Sequence, residues 1–207
     1  MIAVVDFGSG NTRSVLRALE AVGAEARMVA SPEGIDAADR VVLPGVGAAP
    51  SAVEALMARG LWEPVRRWGA DARPLLGLCL GAQLLLEGSD EGDAPGLGLI
   101  AGRCRAFPAA SDGGPRLVPH IGWNEVVTAT GAFDAYFVHG FWLDAERSSV
   151  AGWTDVDGFR FPSLLRAGPL TGTQFHPEKS GPTGRVLLAA FAAGAFDAPR
   201  PAAAAWS

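Results

Sequence analysis

Cysteine is nearly absent. Two residues in 207, Cys79 and Cys104, cannot build a disulfide framework, which removes the small secreted disulfide scaffolds. Histidine is also sparse: His120, His139 and His176 are scattered, and no close pair of Cys or His has metal-ligand spacing. No apolar run approaches the roughly 20 residues of a membrane span. The first residues run from Met1-Ile2-Ala3-Val4-Val5 directly into Asp6, too short an apolar stretch for a secretory leader. Positive charge is in deficit. The net charge is −5 and no basic block occurs, so the footprint expected of a nucleic-acid binder is missing. The turn Asp6–Asn11 carries Gly8 and Gly10, but Arg13 stands where a dinucleotide fingerprint needs its third glycine. No Lys-Ser/Thr pair follows to make a phosphate loop either. Neither a cofactor nor a metal is expected, and a reducing cytoplasm is the natural compartment.

What is present is apolar material: 49% hydrophobic residues against 19% charged, the balance of a compact chain. The length suits one domain, which we place at residues 1–197, with a loose tail over 198–207. Ile2–Val5 reads as a short buried strand, and the turn after it opens a helix with Val15, Leu16, Leu19 and Val22 on one side, ended by Gly23. Further strands are predicted at 26–30, 41–43 and from 75, with helices over 51–59 and 61–68 broken at Gly60. Strand–helix alternation of this kind predicts an α/β fold around a mostly parallel sheet. After residue 96 the texture changes to short β-like runs at 103–107, 124–128, 135–138, 150–154 and 163–167. They predict an antiparallel extension of the same sheet, or a small layer beside it. A closing helix is predicted over 184–196.

Two segments carry chemistry. In Pro74–Glu87 an apolar strand enters Gly77-Leu78-Cys79-Leu80-Gly81 and a helix leaves it, the arrangement of a nucleophile elbow with cysteine in place of serine. Gly77 and Gly81 lack β-carbons where the two arms approach, so Cys79 can stand out of the turn. Unpaired N–H groups at the helix start favour a thiolate over a thiol. A buried structural cysteine is the competing reading. The second segment, Thr171–Lys179, ends in His176-Pro177-Glu178. A thiolate needs a base, and the base needs an orienting carboxylate. In extended backbone, residues two apart face the same way, which would put His176 beside Glu178. On residues alone, a Cys-His-Glu hydrolase or protease acting by itself remains open.

Gly-Leu-Cys-Leu-Gly-Ala-Gln at 77–83 and Gln-Phe-His-Pro-Glu at 174–178 together resemble the class I (triad) glutamine amidotransferases. Val-Asp-Phe-Gly-Ser-Gly-Asn at 5–11, Pro-His-Ile-Gly-Trp-Asn at 119–124 and His-Pro-Glu-Lys-Ser at 176–180 narrow the likeness to the glutaminase subunits of imidazole glycerol phosphate synthase. The resemblance spans nearly the whole chain. It implies a flavodoxin-like three-layer fold and a Cys79, His176, Glu178 triad. That triad would hydrolyse L-glutamine through a γ-glutamyl thioester.

By the same resemblance, the Leu80 N–H and the Gly45-Val46-Gly47 loop stabilise the oxyanion. Gln83 faces the substrate, and the backbone at His139-Gly140-Phe141 holds its α-amino and carboxylate ends. Gly140 and Phe141 depart from the Ser or Thr and Tyr usual in this subunit. The implied partner is a (β/α)8-barrel synthase subunit in a heterodimer, receiving ammonia and releasing imidazole glycerol phosphate and AICAR. Asn11, Trp123 and Lys179 are the candidates for its docking face. No nucleic acid or membrane is implied.

Overall fold

The computed structural model describes residues 1–111, 114–115 and 117–196. The expected tail at 198–207 lies outside them. The first half runs β1 (Ile2–Val5), α1 (Thr12–Glu20), β2 (Ala26–Val29), α2 (Pro32–Asp36), β3 (Arg40–Leu43), α3 (Ala49–Ala58), α4 (Trp62–Ala70), β4 (Leu75–Leu78) and α5 (Leu80–Leu84). The second half is mostly strands: β5 (Gly88–Ser89), β6 (Gly102–Ala106), β7 (Ala110–Ser111), β8 (Gly114–Pro115), β9 (His120–Thr128), β10 (Gly131–His139) and β11 (Phe141–Ala145). It continues with β12 (Val150–Val156), β13 (Phe159–Ala167) and β14 (Leu170–Thr173), and closes with a 3-10 turn at Pro177–Lys179 and α6 (Gly181–Ala192).

One nine-stranded sheet has the order β10-β9-β12-β13-β14-β4-β3-β1-β2. Pairing is parallel from β2 through β14 and antiparallel from β14 outward to β10. The parallel half follows the flavodoxin-like order, in which the strand sequence reverses at β1 and β3. Both alternatives for the later strands are realised. Four of them extend the main sheet, while β6 pairs with β11 and β5 in a separate three-stranded sheet.

The alternation of side chains explains the layers. Ala3, Val5, Val41 and Leu43 pack on one side with α3 and α4, whereas Ile2, Val4 and Val42 pack on the other with α1 and α6. Strands β1 and β4 are buried along their whole length, hence their continuous apolar sequences, whereas β2 at the sheet's edge is partly exposed and carries Arg27. Helix α1 turns Val15 and Leu19, one turn apart, into that second core. It ends as predicted. Gly23 has φ +79°, the Ala24 N–H bonds the Leu19 carbonyl and the Gly23 N–H bonds the Glu20 carbonyl, a Schellman closure.

Two elements differ from expectation. The closing helix starts three residues early, because Pro182 fits its first turn, and it stops at Ala192. The helix after the elbow is a single turn, Leu80–Leu84, so its dipole gives Cys79 little electrostatic help.

Candidate active site

Four loops leave the carboxyl ends of neighbouring parallel strands and meet at one place, where ligands sit in open α/β sheets. They are residues 6–11 after β1, 44–48 after β3, the elbow after β4, and 174–180 after β14.

The elbow is held by close approach. A Cβ on Gly81 would fall 1.9 Å from the Leu43 carbonyl oxygen, and one on Gly77 2.7 Å from the Gly81 oxygen. Only glycine fits. Cys79 itself takes φ +49° and ψ −105°, a conformation that L-residues avoid at a cost of about 1–3 kcal/mol. Its N–H bonds the Thr173 carbonyl at 2.7 Å, fastening the elbow to the end of β14.

His176 is fully buried, and its backbone is clamped from two sides. Its N–H donates to the Tyr136 carbonyl at 2.9 Å and its carbonyl accepts the Ser180 hydroxyl at 2.7 Å. Nδ1 lies 2.7 Å from Glu178 Oε1, with both side chains shielded from solvent. They do not meet by strand alternation, as expected. His176 is extended, but Pro177 starts a 3-10 turn, and that turn swings Glu178 back under the ring. Among the described residues, His176 Nε2 and Glu178 Oε2 are buried without a hydrogen-bond partner. Burial alone would lower the His176 pKa. The Cys79 sulfur and the Glu178 carboxylate outweigh it and push the value up to about 9. The ring is therefore an imidazolium at neutral pH, beside the sulfur.

Around this centre sit residues the sequence reading had placed elsewhere or passed over. Asn11, expected on the docking face, is only 5% exposed, and its amide donates to Glu178 Oε1 at 3.1 Å. Its polar end is consumed inside the site, which removes it from the surface. Ser9 donates to Asn11 Oδ1 at 3.0 Å and accepts the Val46 N–H at 3.2 Å. Gly45 lies hard against the elbow, where an added Cβ would be 2.9 Å from Leu80 Cβ. Gln174 is wholly buried, with Nε2 3.7 Å from Cys79 Sγ. Gln174 opens the Gln-Phe-His-Pro-Glu run, two residues before His176, and that placement was the signal available for it.

Gln83 is buried next to them, its Nε2 3.4 Å from both the Phe141 carbonyl and Gln174 Oε1. His139 is buried and donates from Nδ1 to the Phe141 carbonyl at 2.7 Å. Trp123 and Lys179 are exposed, as expected, and both border the Tyr136 ring. The described residues contain no cluster of three or more potential metal ligands.

The family description Glutamine amidotransferase class-I matches residues 3–194. The chain is a class-I glutamine amidotransferase. This amidotransferase is 44% identical over 200 residues to "Imidazole glycerol phosphate synthase subunit HisH" of Streptococcus sanguinis, covering 92% of this chain and 95% of the relative. It is 42% identical to the protein of the same name from Xanthomonas campestris pv. campestris, covering 92% and 96%. It thus belongs to the HisH family within the class. Solved structures agree in fold. A glutamine amidotransferase crystal structure superposes with TM-score 0.74 at 20% identity, over 93% of this chain and 98% of the other. PurLQS from Thermotoga maritima superposes with TM-score 0.68 at 18% identity, over 91% and 95%.

Proposed function

We propose that this amidotransferase is the glutaminase subunit of an imidazole glycerol phosphate synthase, hydrolysing L-glutamine and passing the ammonia to a barrel-shaped synthase subunit. The observation that supports the reading is the buried His176–Glu178 pair, 2.7 Å apart at the sheet's carboxyl edge, on the strand end to which the Cys79 elbow is fastened. The Cys79 thiolate attacks the side-chain amide carbon of glutamine. The C–N bond then breaks as His176 Nε2 delivers its proton to the departing nitrogen, giving ammonia and a γ-glutamyl thioester. Water adds to the thioester as His176 Nε2 takes its proton. The C–S bond breaks, and glutamate leaves.

Glu178, fixed by Asn11, keeps Nδ1 protonated throughout. Both N–H groups of Gln83 are committed within the protein, so what it offers a ligand is its carbonyl oxygen, an acceptor suited to the substrate's ammonium group. The backbone of residues 139–141, which meets Gln83 through the Phe141 carbonyl, is proposed to take the substrate's α-carboxylate.

The oxyanion needs two donors. The Leu80 N–H is the first of α5 and has no intrahelical acceptor. The second would come from the Gly45-Val46-Gly47 loop, but the Val46 N–H is engaged by Ser9. One missing donor costs about 2.7–4 kcal/mol, or a factor of roughly 100–1,000 in rate. Docking of the synthase subunit beside this loop is proposed to turn it. The exposed Trp123 and Lys179, joined across Tyr136, support a docking face on the same side as the 177–180 turn. The two free thiols support a reducing compartment such as the cytoplasm. No described helix is long and apolar enough to cross a membrane.

Glutamate release from glutamine, with and without the synthase subunit and its ligand, tests the reading. The subunit should raise the rate, and Cys79→Ser should abolish it in both cases. Equal rates with and without the subunit, or an active Cys79→Ser variant, overturn it.

A further inference from the structure

A chain of hydrogen bonds, each with its direction fixed, runs from the antiparallel strands to the nucleophile. At its far end Asn124 Nδ2 donates to the Asp155 carbonyl at 2.8 Å, and Asn124 Oδ1 accepts the Glu125 N–H at 2.8 Å. Two backbone groups therefore fix that amide's orientation. Its nitrogen also donates to His120 Nε2 at 3.3 Å, which leaves the hydrogen of His120 on Nδ1, 3.0 Å from His139 Nε2. His139 Nδ1 must donate in turn, because the Phe141 carbonyl at 2.7 Å can only accept. Both imidazoles are neutral in this pattern, and their packing against Phe107, Phe137 and Phe161 disfavours charge.

The Phe141 carbonyl also accepts from Gln83 Nε2, and this fixes the Gln83 amide. Because Gln83 donates, Gln174 must present its oxygen to it. The end of Gln174 that remains, the NH₂ group, faces Cys79 Sγ at 3.7 Å.

We propose that Gln174 is a further catalytic residue, donating a side-chain N–H to the Cys79 sulfur, with His120 and His139 as positioning residues that hold it through Phe141 and Gln83. A thiol or thioester sulfur accepts a hydrogen bond weakly, whereas a thiolate accepts strongly. The donor therefore favours the charged nucleophile before attack, and favours sulfur as the leaving group when water opens the thioester. The inference rests on Cys79 being the nucleophile of the proposed glutaminase.

The pH profile of Cys79 alkylation by iodoacetamide reads the thiolate without any substrate. Gln174→Met keeps the side chain's volume and removes the donor. It should raise the pH midpoint of alkylation by about one unit, the tenfold change in the thiol–thiolate equilibrium expected for one hydrogen bond to a charged group. In the unmodified protein, the Gln174 side-chain NH₂ resonances should move when Cys79 is alkylated, a measurement that needs no variant to fold. An alkylation midpoint unmoved in folded Gln174→Met, or Gln174 resonances that stay in place, would overturn the inference. Failure of the glutaminase reading is distinguishable, since only then would Cys79→Ser retain activity.

Discussion

His139→Asn should make the protein less sensitive to acid. In the folded chain burial drives the His139 pKa down to about 3 from an ordinary value of 6.5, against an opposing pull from its hydrogen bond to the Phe141 carbonyl. Between those values the unfolded chain carries a proton that the folded chain refuses. The contribution of this residue to stability is therefore intact above pH 6.5 and is lost as pH falls, by up to about 1.4 kcal/mol per pH unit. Integrated from pH 7 to pH 5, the loss is about 2 kcal/mol, and it hardly changes for any folded value below about 4. Set against a typical stability of about 5–15 kcal/mol, that is a large fraction.

His176 works in the opposite direction. Raised to about 9, it contributes stability that is complete below pH 6.5 and fades as pH climbs through 9. The wild-type pH dependence is therefore a partial cancellation, and only comparison with the variant isolates His139. Asparagine keeps a nitrogen where Nδ1 donates to Phe141 and removes the titration. Urea unfolding at pH 7, 6 and 5 should show the wild type losing about 2 kcal/mol more than His139→Asn across that range. Parallel losses in the two proteins would refute the neutral, buried assignment.

Ser9→Ala should raise the glutaminase rate of the isolated chain. It removes the acceptor of the Val46 N–H, whose loss frees the loop by about 1 kcal/mol, or roughly fivefold in rate. An unchanged or lower rate, with Cys79 alkylation unaltered, would show that Ser9 does not restrain the loop. Trp123→Ala should raise the dissociation constant for the synthase subunit at least tenfold, because a large exposed aromatic is a typical anchor. Its melting temperature should stay within a degree or two, since 58% of the residue's surface is already in solvent. A dissociation constant equal to wild type would remove Trp123 from the interface.

Most of the parallel half of the fold was legible because burial on both faces leaves little choice of residue: Ile2–Val5 and the Val41-Val42-Leu43 of β3 are short apolar runs bounded by turn chemistry. Helix α2 was not, because five residues give no helical periodicity; its signals were the Ser31 cap and Pro32. Strand β11 escaped for a related reason. Its Phe141-Trp142-Leu143 does not alternate, since it lies in a second small sheet with apolar neighbours on more than one side.

The same distinction separates the parts of the site. Cys79 was legible because its demands are local, a strained corner flanked by two positions where no β-carbon fits. Asn11 illustrates the opposite case. Nothing near it in the chain distinguishes a surface amide from a buried one, and its role comes from a carboxylate 167 residues away. That carboxylate reaches it only because β1 and β14 end at the same edge of one sheet, with β3 and β4 between them. Gln174 lies between these extremes: it sits two residues before His176 in the same motif, just past the end of β14. Its orientation, however, is set by Gln83 and the Phe141 carbonyl, brought in by α5 and β11. Motif residues that bend their own backbone can be found from spacing. Residues that orient another side chain require the sheet order that brings distant strand ends together, and the polar groups around Cys79 are mostly of that kind.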